Sequence, residues 1–206
     1  MFNYEEAFSR NIGWVTKEEQ QKLRNTKVAI GGLGGVGGDH TIVLARLGIG
    51  NFHISDLDDY DVANFNRQAG ANMSTLGKAK AAVMEETVRG INPEATIKNF
   101  DSGINEDNLD EFLEGVDIYV DSLDIFVLEI RRKVFRRCYE KGIPTITAAP
   151  MGMGTAFLVF MPGKMSFDEY FAIVDAAANA SEEEKAKIFN DNIIRFVIGV
   201  SPSVQQ

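Results

Sequence analysis

A chain of 206 residues, 45% of them hydrophobic, is long enough to bury a core without disulfides or metals and too apolar to be disordered. Its 21 Lys and Arg stand against 30 Asp and Glu, and the net charge of −9 argues against a protein that coats nucleic acid. The single cysteine, Cys138, excludes an internal disulfide framework and a Cys-based zinc site within these residues.

The start, Met1-Phe-Asn-Tyr-Glu-Glu, has neither the basic region nor the apolar run of a signal peptide, and no stretch approaches the ~18 apolar residues that span a bilayer. A cytoplasmic protein with no membrane partner is expected. Thr16-Lys-Glu-Glu19 reads as a capping box opening a helix that ends near Asn25. Lys27 to Gly32 is a short apolar run entering glycines, as a buried strand would. Val36 to Leu47 has helical spacing and stops at Gly48; Phe52 to Asp56 alternates and ends in acid, as a second strand. Ser74 to Ile91 reads as a helix, Ala95 to Phe100 as a third strand, and Ile104 to Leu113 as an acidic helix. Asp117 to Asp121 predicts a fourth strand, Phe126 to Lys141 a long helix stopped by Gly142, and Pro144 to Ala149 a fifth strand. Thr155 to Met161 is a further apolar run.

Strands separated by helical stretches predict an α/β fold, a Rossmann-like doubly wound and mostly parallel sheet with flanking helices. We expect an N-terminal helical arm over 1–26, a nucleotide-binding α/β domain over 27–162, and a helical crossover or C-terminal segment over 163–206. Ser166-Phe-Asp-Glu169 and Ser181-Glu-Glu-Glu184 look like helix starts. Because an apolar run, Ile193 to Val200, nearly ends the chain, the natural protein is expected to continue past Gln206.

Gly32-Leu33-Gly34-Gly35-Val36-Gly37 fits G-x-G-x-x-G between a predicted strand and a predicted helix. Gly32, Gly34, Gly35 and Gly37 let the backbone turn tightly and approach a phosphate, and the N–H groups opening the helix favour its charge. Asp56, about 20 residues on, is placed to accept from ribose hydroxyls. The loop alone does not choose between a dehydrogenase and an ATP-using enzyme.

A second constellation makes that choice. Asp56-Leu-Asp58 leads into Asn64-Phe-Asn-Arg67-Gln68, then Lys78-Ala-Lys80, and Asp124 follows the fourth strand. These positions fall at strand carboxyl ends, where open α/β sheets bind ligands. Hydride transfer has little use for an arginine, a lysine and a metal-binding carboxylate; nucleotidyl transfer needs them around a triphosphate.

The spaced motifs G-x-G-G-x-G at 32–37, D-x-D at 56–58, N-x-x-R-Q at 64–68, G-x-x-K at 77–80 and the strand-end Asp124 resemble the ThiF/MoeB/HesA family, relatives of the ubiquitin-activating enzymes. Ser9-Arg10-Asn-Ile also resembles that family's N-terminal S-R-Q-I segment, and the likeness covers about residues 5 to 160. It implies ATP-dependent adenylation of a carboxylate, usually the C-terminal Gly-Gly of a ubiquitin-like or sulfur-carrier protein, or else a peptide carboxylate. It further implies that Asp56 binds the ribose with Asp58 beside it, and that Asn64, Arg67 and Lys80 contact the triphosphate. Asp124 would hold Mg²⁺. Arg10 would reach across a homodimer into the partner's ATP site.

The sequence departs from the family's pattern in lacking a thioester cysteine and the two C-x-x-C zinc pairs. Cys138 falls among Val127, Ile130 and Val134 and reads as a core thiol. Position 125 is Ile where relatives often carry Asn, and the segment after Met161 is unlike the usual crossover loop. Arg131, Arg132, Lys133, Arg136 and Arg137 read as a solvated helix face rather than a nucleic-acid surface. His40 and His53 lack partners at metal-ligand spacing, Lys78 reads as surface, and Met151-Gly-Met-Gly154 as either a close approach to substrate or a strand-joining turn. Two alternatives stay open: a nucleotide-binding module of this fold with altered catalysis, and an NAD-dependent oxidoreductase.

Overall fold

The computed structural model describes residues 1–124, 126–151 and 153–171, with Ser181, Glu184 and Lys187, and divides into two compact units, Met1–Leu123 and Asp124–Gln206. That boundary falls inside the stretch 27–162 expected as one nucleotide-binding domain. Ile125, the apolar run at 193–200 and most of the expected crossover segment 163–206 lie outside the described residues.

The first unit begins with helix α1 (Tyr4–Ala7), a 3-10 turn (Ser9–Asn11) and helix α2 (Lys17–Asn25). The capping box forms as expected: Thr16 Oγ1 accepts from the Glu19 N–H and the Glu19 carboxylate accepts from the Thr16 N–H. Tyr4 donates its hydroxyl proton to the Gly48 carbonyl, and the Arg24 guanidinium lies 4.5 Å from the Tyr4 ring centre, so the arm is fastened to the domain.

Four parallel strands follow: β1 (Lys27–Gly31), β2 (Asn51–Ser55), β3 (Thr96–Phe100) and β4 (Ile118–Asp121), in the spatial order β3-β2-β1-β4. Alternate residues feed the two faces. Val28, Ile30, Phe52, Ile54 and Val120 pack in one core with Val83, Met84 and Val88 of helix α4 (Lys80–Ile91), next to helix α3 (Gly35–Arg46). On the opposite face the rings of His53, Phe100 and Tyr119 surround Phe112 of the short helix α5 (Leu109–Phe112). A sheet covered on both faces explains the near-continuous apolar strands.

Two helices start later than the sequence suggests. Over 72–79 the Asn72 side chain accepts from the Ser74 N–H, Gly77 takes φ +74° and Ala79 stays extended, so α4 begins at Lys80 rather than Ser74. Over 103–108, Asn105 Oδ1 accepts from the Asp107 and Asn108 N–H groups, while Asn108 donates to the Gly103 carbonyl. Local side-chain bonds of this kind compete with the helix ladder, and α5 starts at Leu109 instead of Ile104.

The second unit holds helix α6 (Leu128–Lys141), strands β5 (Thr145–Met151) and β6 (Gly154–Phe160), and helix α7 (Phe167–Tyr170). Gly142 closes α6 in the left-handed conformation at φ +73°. β5 and β6 pair antiparallel with Met151 opposite Gly154, so the Met151–Gly154 segment joins two strands. Cys138 is fully buried, as expected. The basic run is less solvated than expected. Arg131 is buried and donates to Thr147 Oγ1 at 2.9 Å, because β5 offers a hydroxyl within its reach. Arg132 donates to Asp168 at 3.0 Å and Arg136 Nε to the same carboxylate at 2.6 Å. Replacing Asp168 with Asn should destabilise this unit by about 1–2 kcal/mol, since the largely buried Arg132 guanidinium loses its counter-ion, the exposed Arg136 adding little. Chemical denaturation with an unchanged midpoint would show the clamp to be idle.

Candidate functional site

The glycine loop follows β1 and is built from two kinds of glycine. Gly32 has φ +84°, and a Cβ there would stand 2.4 Å from the Ser122 carbonyl oxygen; one on Gly37 would stand 1.8 Å from the Gly32 carbonyl oxygen. These two permit the turn itself. A Cβ on Gly34 would meet only the Gln68 amide, 3.7 Å away, and one on Gly35 would meet Arg67 at 3.4 Å. Gly34 therefore leaves its side of the loop open, while Gly35 packs beside Arg67. Gly34 also precedes α3 as its N-cap without a side-chain cap, which leaves backbone N–H groups available for an anion.

Asp56, at the end of β2, is tied into the loop. Its Oδ2 accepts from the Leu33 N–H at 2.6 Å and its Oδ1 from the Asp58 N–H at 2.9 Å. A carboxylate retains further lone pairs for ribose hydroxyls. Asp58 in turn accepts the Lys80 N–H on its backbone carbonyl, and its Oδ2 receives Lys80 Nζ at 3.0 Å. Lys80 is the first residue of α4 and its side chain is 7% exposed, whereas that of Asp58 is 60% exposed. A buried lysine opening a helix runs against the helix dipole. The Asp58 carboxylate offsets that charge.

Arg67 is exposed, lies along Gly35, and donates from Nη1 to the Ala63 carbonyl and Asn66 Oδ1, both at 3.0 Å. Asn64 Oδ1 accepts from the Asp61 N–H at 2.9 Å, closing a capping box on the 3-10 turn Val62–Asn64. The structure thus brings Gly32 to Gly37, Asp56, Asp58, Arg67 and Lys80 into one connected set. Asn64 shapes the turn that presents Arg67. Arg10 is exposed on the turn Ser9–Asn11. Asp124 opens the second unit, exposed, with Oδ1 accepting from the Phe126 N–H at 3.0 Å.

Two further residues carry no role in the sequence reading. Gln68 is buried beside Gly34, and its Oε1 has no hydrogen-bond partner among the described residues; the N-x-x-R-Q spacing was its signal. Tyr60 is likewise buried with an unpartnered hydroxyl, and burial first, then the Asp56 charge, push that hydroxyl up to about 12. The unfolded chain ionises it near 10, so the folded state binds more protons there, and stability should fall as pH rises from about 10 towards 12. Tyr60→Phe should flatten that alkaline slope in denaturation midpoints measured across this window. An identical slope in both proteins would contradict it.

His53 Nδ1 lies 2.7 Å from the Phe112 carbonyl oxygen and His40 Nδ1 3.5 Å from Ser122 Oγ, and burial lowers both histidines. Among the described residues no three His, Cys, Asp or Glu side chains form a metal-holding group. None of the described helices is long and apolar enough to cross a membrane.

The ThiF family pattern matches residues 8–205. The tRNA threonylcarbamoyladenosine dehydratase of Haemophilus influenzae is 35% identical over 151 residues, 73% of this chain and 57% of that protein. The molybdopterin-synthase adenylyltransferase of the same organism is 33% identical over 151 residues, covering 71% and 59% respectively. The crystal structure of Escherichia coli tRNA N6-threonylcarbamoyladenosine dehydratase in complex with ATP superposes with a TM-score of 0.66 at 30% identity, over 69% of this chain and 58% of that one. The chain spans somewhat more than half the length of these relatives.

Proposed function

Because the chain belongs to the ThiF family, we propose that it binds ATP and adenylates a carboxylate, that of the C-terminus of a ubiquitin-like or sulfur-carrier protein, with release of pyrophosphate. The observation that carries this is the unbroken hydrogen-bonded run from the loop to the buried lysine: Leu33 N–H to Asp56, Asp58 N–H to Asp56, and Lys80 to Asp58. It links a phosphate cradle, a ribose acceptor and a cation within one unit.

In this reading the α3 N-terminus and Gly34–Gly35 receive phosphates, and Asp56 accepts from the ribose. Arg67 and Lys80 offset charge that builds on the departing pyrophosphate. The acceptor carboxylate is already ionised, so it attacks the α-phosphorus without a general base. A carboxyl-oxygen-to-phosphorus bond forms as the bond to the bridging oxygen breaks, and the electron pair leaves with pyrophosphate. Asp124 fits a magnesium role, since its exposed carboxylate is oriented by the Phe126 N–H and Mg²⁺ needs few protein carboxylates when phosphates complete its shell. Bound there, the ion would neutralise phosphate charge. Arg10, exposed on its turn, would serve the site of a second copy. Sedimentation at micromolar concentration should then show a dimer, and monomer alone would leave Arg10 without that role.

The net charge of −9 disfavours a tRNA-linked acceptor held by these residues alone, without a further domain. Exchange of labelled pyrophosphate into ATP in the presence of small proteins ending in Gly-Gly is the test. Exchange that depends on the acceptor's terminal carboxylate is expected. Silence across ubiquitin-like proteins, peptides and amino acids would favour a nucleotide-binding module without catalysis.

A further inference from the structure

We infer that Asp58 is a positioning residue that stands where a phosphate oxygen would, holding the Lys80 ammonium until a polyphosphate displaces it and taking it back as pyrophosphate leaves. This rests on the proposal that Lys80 serves nucleotide phosphates, and it replaces the expectation that Asp58 merely lies beside the ribose.

The geometry of the pair is asymmetric. Lys80 is walled in by the α4 start, and the partner it reaches is a carboxylate that is itself 60% exposed. An exposed carboxylate returns to water at little cost, whereas a buried ammonium must exchange one anion for another. Asp58 is also fixed at three points by its N–H on Asp56, its carbonyl on the Lys80 N–H and its side chain on Nζ. The carboxylate is therefore held in register with the loop, and not drawn to the lysine by chance. The Asp56 carboxylate that anchors the Asp58 N–H is the same one bound to Leu33 in the glycine loop, which places the ion pair at the edge of the phosphate cradle. An anion entering there meets a lysine already occupied and a carboxylate that repels it. Only a ligand carrying several negative charges gains enough from Lys80, Arg67 and the α3 N-terminus to displace the carboxylate, so the pair makes the site discriminate by phosphate charge. After transfer, Asp58 restores the ion pair and opposes the rebinding of pyrophosphate.

The test is calorimetric titration of the full chain with inorganic pyrophosphate, ATP·Mg²⁺ and adenosine, for the unaltered protein, Asp58→Asn, Asp58→Ser and Lys80→Met. Removing the charge of Asp58 should tighten pyrophosphate and ATP about tenfold in both Asp58 variants, leave adenosine unchanged, and steepen the salt dependence of pyrophosphate binding. In turnover, pyrophosphate should become a correspondingly stronger product inhibitor. Weaker binding of pyrophosphate in both Asp58 variants, with adenosine unaffected, would overturn this inference while leaving nucleotide binding intact. Loss of adenosine binding alongside would assign Asp58 to the architecture of the loop and overturn it equally. If Lys80→Met leaves pyrophosphate binding unchanged, the role of Lys80 itself fails, and the inference falls with it.

Discussion

Gly37→Ala should cost upwards of about 3 kcal/mol of stability and abolish nucleotide binding, whereas Gly34→Ala should keep the stability and lose only the binding. The difference lies in what a methyl group meets. At Gly37 it would sit 1.8 Å from the Gly32 carbonyl oxygen, a backbone atom that cannot move without reopening the turn against Ser122. At Gly34 the nearest atom is the Gln68 amide at 3.7 Å, an ordinary contact, and φ is −71°, outside the left-handed region. The added methyl then occupies the bare side of the loop, where a phosphate would approach. Denaturation midpoints together with ATP titrations of the two variants check this. If Gly34→Ala binds ATP as well as the unaltered chain, the loop is a packing turn and not a phosphate cradle.

Lys80→Met should weaken ATP binding roughly thirty- to a hundredfold, about 2–3 kcal/mol, with folding stability nearly unchanged. Methionine fills the volume of the buried stem, and Asp58 is exposed enough to find water instead of an unmet buried charge. Binding and stability thus separate, as they would not for a lysine that merely holds the fold. Equal ATP affinity in the two proteins would remove Lys80 from the site.

The parallel strands, α3 and the capping box at Thr16 were legible because each is written locally, in short apolar runs, in period and in cap chemistry. The late start of α4 was not, because the 74–79 stretch carries helical spacing while Gly77 and the Asn72 side chain hold it in turns. The members of the site were legible as residue types at intervals, but their partners were not. Lys80 bonded to Asp58 and Asn64 bonded to Asp61 are tertiary and turn-level facts that spacing leaves open. Gln68 went without a role because a glutamine in a turn usually means solvent, and only packing beside Gly34 buries it. Arg131 reads as one of a row of surface cations until Thr147 supplies a buried acceptor.

The most direct measurement is isothermal titration of the chain with ATP·Mg²⁺ and, separately, with NAD⁺. Binding of ATP that Lys80→Met weakens by the factor given above, with no heat from NAD⁺, is the expected result. Tight NAD⁺ binding with none of ATP would contradict the account and make the glycine loop that of an oxidoreductase.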